Sequence, residues 1–392
     1  MTHFTGVAIY DPSTAPGGKV RFKDIIAHVA SRIHVSPIFR QKLVRVPGDL
    51  DYPYWADDDY FDLEYHLRHS RLPEPGDWRQ FCIHLARYHS RPLNMQRPLW
   101  EMYVIEGLDR ISDFPEGSYA IATKVHHAAL DGGSAMRFLG ALSDIDNQGT
   151  PALAIDAPNE MPGKKPRTRE LLARAVGNNA RFPLRLARRV AQTSPLILDA
   201  MRSAVASAEP ADPRVPVTRF DADHISPHKM FDATSFPLDE LRRIKRAVDG
   251  ATVNDVVLTI CSGALRAYLE HHDELPEIPL VAWVPINAKV DRGEDMGGNH
   301  IAAMTASLQT HLDDPVERLR RIRDASRRSK EAKAGLSARI MTDLTQHVPA
   351  ATQLLASRLL LQPSLRPHLC NLFVSNVPGP QVPLYANGAR LV

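Results

Sequence analysis

Cysteine is scarce. Cys82, Cys261 and Cys370 are spread over 392 positions. Their odd number and wide spacing argue against a disulfide scaffold or a cysteine-built metal cluster, and suit a reducing, cytoplasmic setting. Long hydrophobic runs are missing as well. No stretch approaches the ~20 apolar residues of a membrane-spanning helix, and the polar start, Met1-Thr2-His3-Phe4, lacks the apolar core of a secretory signal. Charge is nearly balanced: 48 Lys and Arg stand against 45 Asp and Glu, a net +3 that gives no reason to expect nucleic acid. Several catalytic signatures are also absent, namely Gly-x-Ser-x-Gly, the Walker loop, His-Glu-x-x-His and Gly-x-Gly-x-x-Gly.

What remains is a globular composition, 44% hydrophobic and 24% charged. A chain of this length exceeds one ordinary core, so two domains are expected. Strand and helix signals alternate over residues 1–145. Residues 146–215 are rich in Pro and Ala with charge runs, and read as a linker. From 216 to 392 the signals resume: strands over Met230–Phe236, Pro279–Pro285, Ile301–Leu308 and Asn371–Val377, a helix through Asn254, and an Arg-rich surface helix from Pro315. The fold class is α/β with mixed sheets, in two layered domains.

The most informative stretch is Tyr119–Leu139. Ile121, Thr123 and Val125 alternate as in a strand, Gly132-Gly133-Ser134 breaks the pattern, and Ala135-Met136-Arg137-Phe138-Leu139 resumes with helical spacing. His126-His127-Ala128-Ala129-Leu130-Asp131-Gly132 therefore sits on a strand-to-helix turn. A neutral imidazole there can take a proton from a hydroxyl. Asp131 can accept an N–H from the His127 ring, or equally pair with a distant arginine and only shape the turn, and Gly132 and Gly133 allow a ligand to approach closely. The chain holds a second pair, His271-His272, without the Asp-Gly spacing; it closes a helix and reads as solvated. Thr252 is an N-cap candidate for the Asn254 helix, with Val253, Val256, Val257, Ile260 and Ala264 as its apolar face. Asn254 and Asp255 can serve a substrate or merely complete the cap. Pro98-Leu99-Trp100 reads as core packing before the strand Met102–Ile105. Val377-Pro378-Gly379-Pro380 reads as a rigid turn.

The His126–Gly132 pattern resembles that of the CoA-dependent acyltransferase superfamily. The series Arg97–Glu101, Thr252–Leu258, Gly298-Asn299 and Val374–Pro380 narrows this: the chain is similar to the bacterial wax ester synthase/diacylglycerol acyltransferase family over nearly its whole length. The resemblance implies two chloramphenicol-acetyltransferase-like domains with the active site at their interface. It implies that His127 is the general base, deprotonating a long-chain alcohol or a diacylglycerol that then attacks acyl-CoA. No metal and no cofactor are implied, acyl-CoA being a co-substrate. His126 and Asp131 would hold the loop, Gly132 would leave room for CoA, and Asn254, Asp255 and Gly133 would bind or orient substrate.

Family members open with a further stretch before a helix and continue past Val-Pro-Gly-Pro, so the resemblance predicts a C-terminal domain truncated at Val392 with an exposed sheet edge. Nine cations crowd the linker: Lys164, Lys165, Arg167, Arg169, Arg174, Arg181, Arg185, Arg188 and Arg189, against Glu170 alone. Leucines and other apolar residues interleave, and Pro183 divides them into two short amphipathic helices. Such a stretch suits an anionic lipid surface, placing a cytoplasmic protein on the inner membrane or a lipid droplet. Two alternatives stay open: a condensation-type acyltransferase fed by an acidic carrier protein, and a non-catalytic lipid-droplet-binding protein.

Overall fold

The computed structural model describes residues 3–130, 138–152, 166–183, 188, 215–222, 226–287, 301–331, 352–353, 369–377 and 379–392. The chain forms two compact units whose boundaries interleave. One comprises residues 1–174, 226–233 and 377–392; the other comprises 175–225 and 234–376. The expected cuts at 145 and 215 are linear, whereas the first unit draws on three separate stretches of chain.

The first unit is built on a six-stranded sheet of order β10-β11-β1-β6-β5-β4. Its strands are β1 (His3–Asp11), β4 (Leu67–Arg71), β5 (Trp100–Glu106), β6 (Tyr119–His126), β10 (Tyr385–Ala386) and β11 (Ala389–Leu391). Only the β4–β5 pair is parallel. A separate hairpin joins β2 (Gln41–Val44) to β3 (Tyr54–Asp57). Side chains alternate across a strand, so each face of the sheet gathers its own core. On one face Tyr10, Trp100, Met102, Val104 and Val125 pack with Ile25 and Val29 of α1 (Phe22–Arg32). The short helix α2 (Leu63–His66) runs directly into β4. On the other face Ile105, Ala120 and Ala122 meet Phe81, Leu85 and Tyr88 of α3 (Trp78–Ser90). Asp77 caps α3, accepting the Gln80 N–H at 2.8 Å.

The last residues of the chain add to this first sheet. Asn387 (φ 52°) and Gly388 (φ 77°) make the tight β10–β11 turn. An Asn-Gly pair tolerates two successive positive φ values, as such a hairpin requires. A Cβ on Gly388 would lie 2.8 Å from the Pro16 ring, so no other residue fits without movement. β11 is paired on both sides, with β1 and β10. Against the expectation of an open edge at the chain end, the two-residue β10 is itself covered, since Tyr385 exchanges backbone hydrogen bonds with Asp144 at 2.7 and 2.8 Å.

In the second unit a three-stranded sheet of order β8-β7-β9 carries β7 (Val281–Asn287), β8 (Ile301–Ser307) and β9 (Leu372–Phe373). Leu280, Ala282, Val284, Met304 and Val374 bury against Leu258 and Leu269. Those leucines belong to a long helix, α6 (Val253–His271), which α5 (Leu238–Lys245) precedes in this unit; α4, at 168–183, comes earlier in the chain. α7 (Pro315–Glu331) packs Leu319 against Val256 and Ile322 into the core under the sheet. It is less of a surface helix than its arginines suggest. Arg318 is 5% exposed and donates to the Leu312 and Asp313 carbonyls.

Two expectations need correction. Met230–Phe236 is not a strand; its residues have no regular pairing, and Met230 is 99% exposed. Nor is the apolar face of α6 wholly the expected one. Val256 is fully buried with Ile260 packed beside it, as expected, but Ala264 is exposed, Val253 and Val257 are only half-buried, and Leu258, Ser262 and Leu269 are buried as well. The stripe is rotated because Leu258, Leu265 and Leu269 meet the sheet, and the other flank meets α7. Leu258, 1% exposed, is the test of this packing. Leu258→Ala is expected to lower unfolding free energy by about 2–5 kcal/mol in denaturant titrations; a loss below about 1 kcal/mol would contradict it.

Candidate active site

β6 lies between β1 and β5, and its register sets the two histidines apart. His126 is opposite His3 of β1. Its side chain falls on the α3 face, with Lys124, Ala122 and Ala120. His127 follows on the opposite side, where its ring meets Phe4 with centroids 5.0 Å apart. His126 is half-buried and His127 is exposed at the strand tip.

His126 is tied into the turn. Its N–H donates to the Leu99 carbonyl at 3.0 Å, and its own carbonyl accepts from Ala129 at 2.9 Å. The ring Nδ1 accepts the Ala128 N–H at 3.1 Å. A local bond of that kind fixes ring and backbone together. Asp131, Gly132 and Gly133 lie outside the described residues, as do Ser134, Gly298, Asn299 and Pro378.

Behind His126 stands a group that sequence reasoning missed. His3 Nε2 is 2.7 Å from the His89 carbonyl, and the two rings meet edge to face at 4.7 Å. Thr5 Oγ1 is 2.9 Å from His89 Nδ1. Lys124 is fully buried, with Nζ 3.1 Å from the Tyr88 carbonyl, 2.9 Å from the Arg91 carbonyl and 3.5 Å from Glu101. A cation suits carbonyls at the end of α3, where the helix dipole is negative. Burial holds the Lys124 ammonium below its usual range, against the pull of Glu101. Only the alternation of β1 and β6 offered a signal for this group; pairing them across 120 residues needs the fold.

Pro98-Leu99-Trp100 is core, as its composition suggests. Trp100 is 1% exposed, donates Nε1–H to the Phe39 carbonyl at 3.0 Å and stacks on His66 at 4.5 Å. In the second unit the two asparagines of separate motifs meet. Asn376 Nδ2 donates to Asn254 Oδ1 at 3.3 Å. Asp255 is 2% exposed and serves the cap: its Oδ2 accepts the Thr252 N–H at 2.8 Å and hydroxyl at 2.7 Å, while Thr252 Oγ1 accepts the Asp255 N–H. This is a complete capping box. His271 ends α6 and His272 caps it.

The catalytic-domain model of the wax ester synthase/diacylglycerol acyltransferase family matches residues 1–257, and that of its C-terminal domain matches residues 297–392. The chain belongs to this family. It is 32% identical over 406 residues to a protein named probable diacylglycerol O-acyltransferase from Mycobacterium tuberculosis, covering 99% of this chain and 82% of that one. It is 32% identical to O-acyltransferase WSD of Acinetobacter baylyi, covering 91% and 76% of the two chains. Among solved structures, the wax ester synthase/diacylglycerol acyltransferase of Marinobacter aquaeolei VT8 matches with a TM-score of 0.61 and 30% identity, over 100% of this chain and 80% of that one. A condensation domain of the calcium-dependent antibiotic synthetase matches with a TM-score of 0.52 at 13% identity, over 100% and 78% of the chains, a likeness of fold alone. The fold class read from the sequence, with its two acyltransferase-like domains, agrees with these matches.

Two measurements follow. Thr252→Ala should cost about 1 kcal/mol of stability through the lost cap; an unchanged denaturation midpoint would refute the capping role. Burial, foremost, lowers the pKa of His3, His89 and His126 from the ordinary 6.5. Below about pH 6.5 the unfolded chain binds protons that the folded chain does not, so unfolding free energy falls with falling pH there and is fully present above it. Denaturation at about pH 7.5 and about pH 5.5 should show this loss, and His3→Gln should make it shallower. Equal slopes for the two proteins would remove His3 from the account.

Proposed function

We propose that His127 is the general base of a direct acyl transfer from acyl-CoA to a hydroxyl. Membership of the family makes the chain an O-acyltransferase, with diacylglycerol or a long-chain alcohol as acceptor. The observation that supports His127 is its place: exposed at the end of β6, on the face opposite the hydrogen-bonded His126.

In this reading His127 takes the hydroxyl proton as the oxygen attacks the thioester carbon. The new C–O bond forms, the C–S bond breaks, and the proton passes to the departing CoA thiolate. No acyl-enzyme, metal or bound cofactor is required. Direct transfer needs both substrates present at once, held in attacking geometry. His126 holds the turn through Ala128, Ala129 and Leu99. With its oxygen engaged by Asn376, Asn254 offers a substrate its NH2 group. Asp255 belongs to the helix cap. Asp131 and Gly132 are assigned to bracing the loop and leaving room for CoA, and Gly133 to substrate binding, on the motif alone.

A peripheral position on membrane or lipid droplet accompanies this reading. None of the described helices is long and apolar enough to cross a membrane. In α4, Leu171 and Ala175 are buried, while Leu172 and Val176 are exposed beside the linker arginines. The test is thiol release from palmitoyl-CoA, with hexadecanol and dioleoylglycerol as separate acceptors. His127→Ala should fold normally and lose at least about 100-fold of acceptor-dependent release, the scale of a lost general base. Retained turnover would remove His127 from the mechanism.

A further inference from the structure

After α4 the chain returns to the first unit for eight residues, 226–233, and these lie along α3. Asp232 anchors them. Its carboxylate accepts Trp78 Nε1–H at 2.8 Å and the Ala233 N–H at 2.8 Å. Between this strap and α3 runs a groove of about 590 Å³.

The groove has two chemically different ends. Near the start of α3, Trp78 and Phe231 face it, their ring centroids 6.5 Å apart. Near the end of α3 stand Arg87, Arg91 and Lys229, all exposed. None of these three cations forms an ion pair with an acid among the described residues. The single acid in the lining is Asp232, already committed to Trp78. Three uncompensated cations at one end, two on α3 and one on the strap, create a local positive field that an anion would relieve. Ser90 and Arg91 of the lining follow directly on His89, which bonds Thr5 and meets His3, the strand partner of His126. The basic end therefore opens beside the tip of β6. From Arg79 to Arg91 the helix rises about 18 Å, at 1.5 Å per residue.

We propose that this groove holds the nucleotide end of acyl-CoA, its adenine against Trp78 and Phe231 and its phosphates on Arg87, Arg91 and Lys229. The inference rests on the acyl-CoA reading above. A planar base suits the aromatic end, and the diphosphate and 3′-phosphate match three cations, two of them about one turn apart at the end of α3 and the third on the strap. The pantetheine arm then runs past His89 toward the strand tip. A lipid headgroup would also meet the cations, but it has no planar ring for the aromatic end.

Calorimetric titration with coenzyme A, dephospho-coenzyme A and pantetheine tests this, using the full chain and a variant carrying Arg87→Glu, Arg91→Glu and Lys229→Glu. All three positions are exposed, and circular dichroism checks the fold. The Kd for coenzyme A should rise roughly tenfold or more in the variant, the scale of lost charge-assisted contacts. Pantetheine binding should not follow it, and the advantage of coenzyme A over dephospho-coenzyme A should vanish. Coenzyme A should also quench Trp78 fluorescence, read as the signal lost in Trp78→Phe. An unchanged Kd overturns the proposal, as does an equal rise in a control carrying Arg320→Glu and Arg321→Glu on α7. Flotation with phosphatidylglycerol vesicles provides the other arm: vesicle binding lost with the Kd for coenzyme A intact makes the groove a headgroup surface and overturns it. Turnover of palmitoyl-CoA by the unmodified chain keeps the two readings apart. An unchanged Kd with turnover intact sinks only the groove, whereas absent turnover sinks the acyl-transfer reading itself.

Discussion

The alternation of side chains along β6 is the constraint on which the site depends. β6 is flanked by β1 and β5, and its hydrogen bonds to both leave no freedom of register. A slip of one residue would exchange its faces. It would carry Lys124 and His126 from the α3 side into the apolar core around Trp100, and expose Val125 to the polar cluster at His3 and His89. Both exchanges bury polar groups without partners, which costs more than any local gain can offset. The adjacent pair His126-His127 is therefore forced to divide its labour, one ring tied inward to the turn and the other turned out.

Electrostatics reinforces the same arrangement. Lys124 is buried, yet it bridges two carbonyls at the end of α3 to Glu101 of β5. It locks the helix end to the sheet directly behind His126. A buried charge of this kind is weak evidence for stability. Its value here is positional, because α3 ends where His89 meets His3 and Thr5. Burial favours the neutral form of each histidine in this cluster, His3, His89 and His126.

Much of this was legible in the sequence where the signal is local. The β6 strand, the turn after it, the Thr252 cap and the core role of Pro98-Leu99-Trp100 each rest on neighbours within a few residues. What failed was non-local. The α6 stripe looked as if it ran through Ala264, because several overlapping apolar faces fit a helix rich in small and β-branched residues. Only the sheet and α7 decide among them. Met230–Phe236 carries strand-like residues, but a strand needs a partner edge; pinned to α3 through Asp232, it finds none. The return of residues 377–392 to the first sheet left no trace beyond Asn387-Gly388, which marks a hairpin and not its destination.

Direct transfer without a covalent intermediate requires donor and acceptor at one carbon simultaneously, and the tip of β6 suits that demand. A strand end is narrow. His127 stands on the Phe4 side, while the basic groove opens on the α3 side, behind His126. A donor lying in that groove would keep its charged nucleotide on one side of the sheet, and would send only the pantetheine arm and thioester around the tip. The other side is then left to an apolar acceptor, which needs no charge at all. Separating the charged from the apolar approach across one sheet avoids desolvating phosphates beside lipid chains, the costliest contact such a reaction could contain.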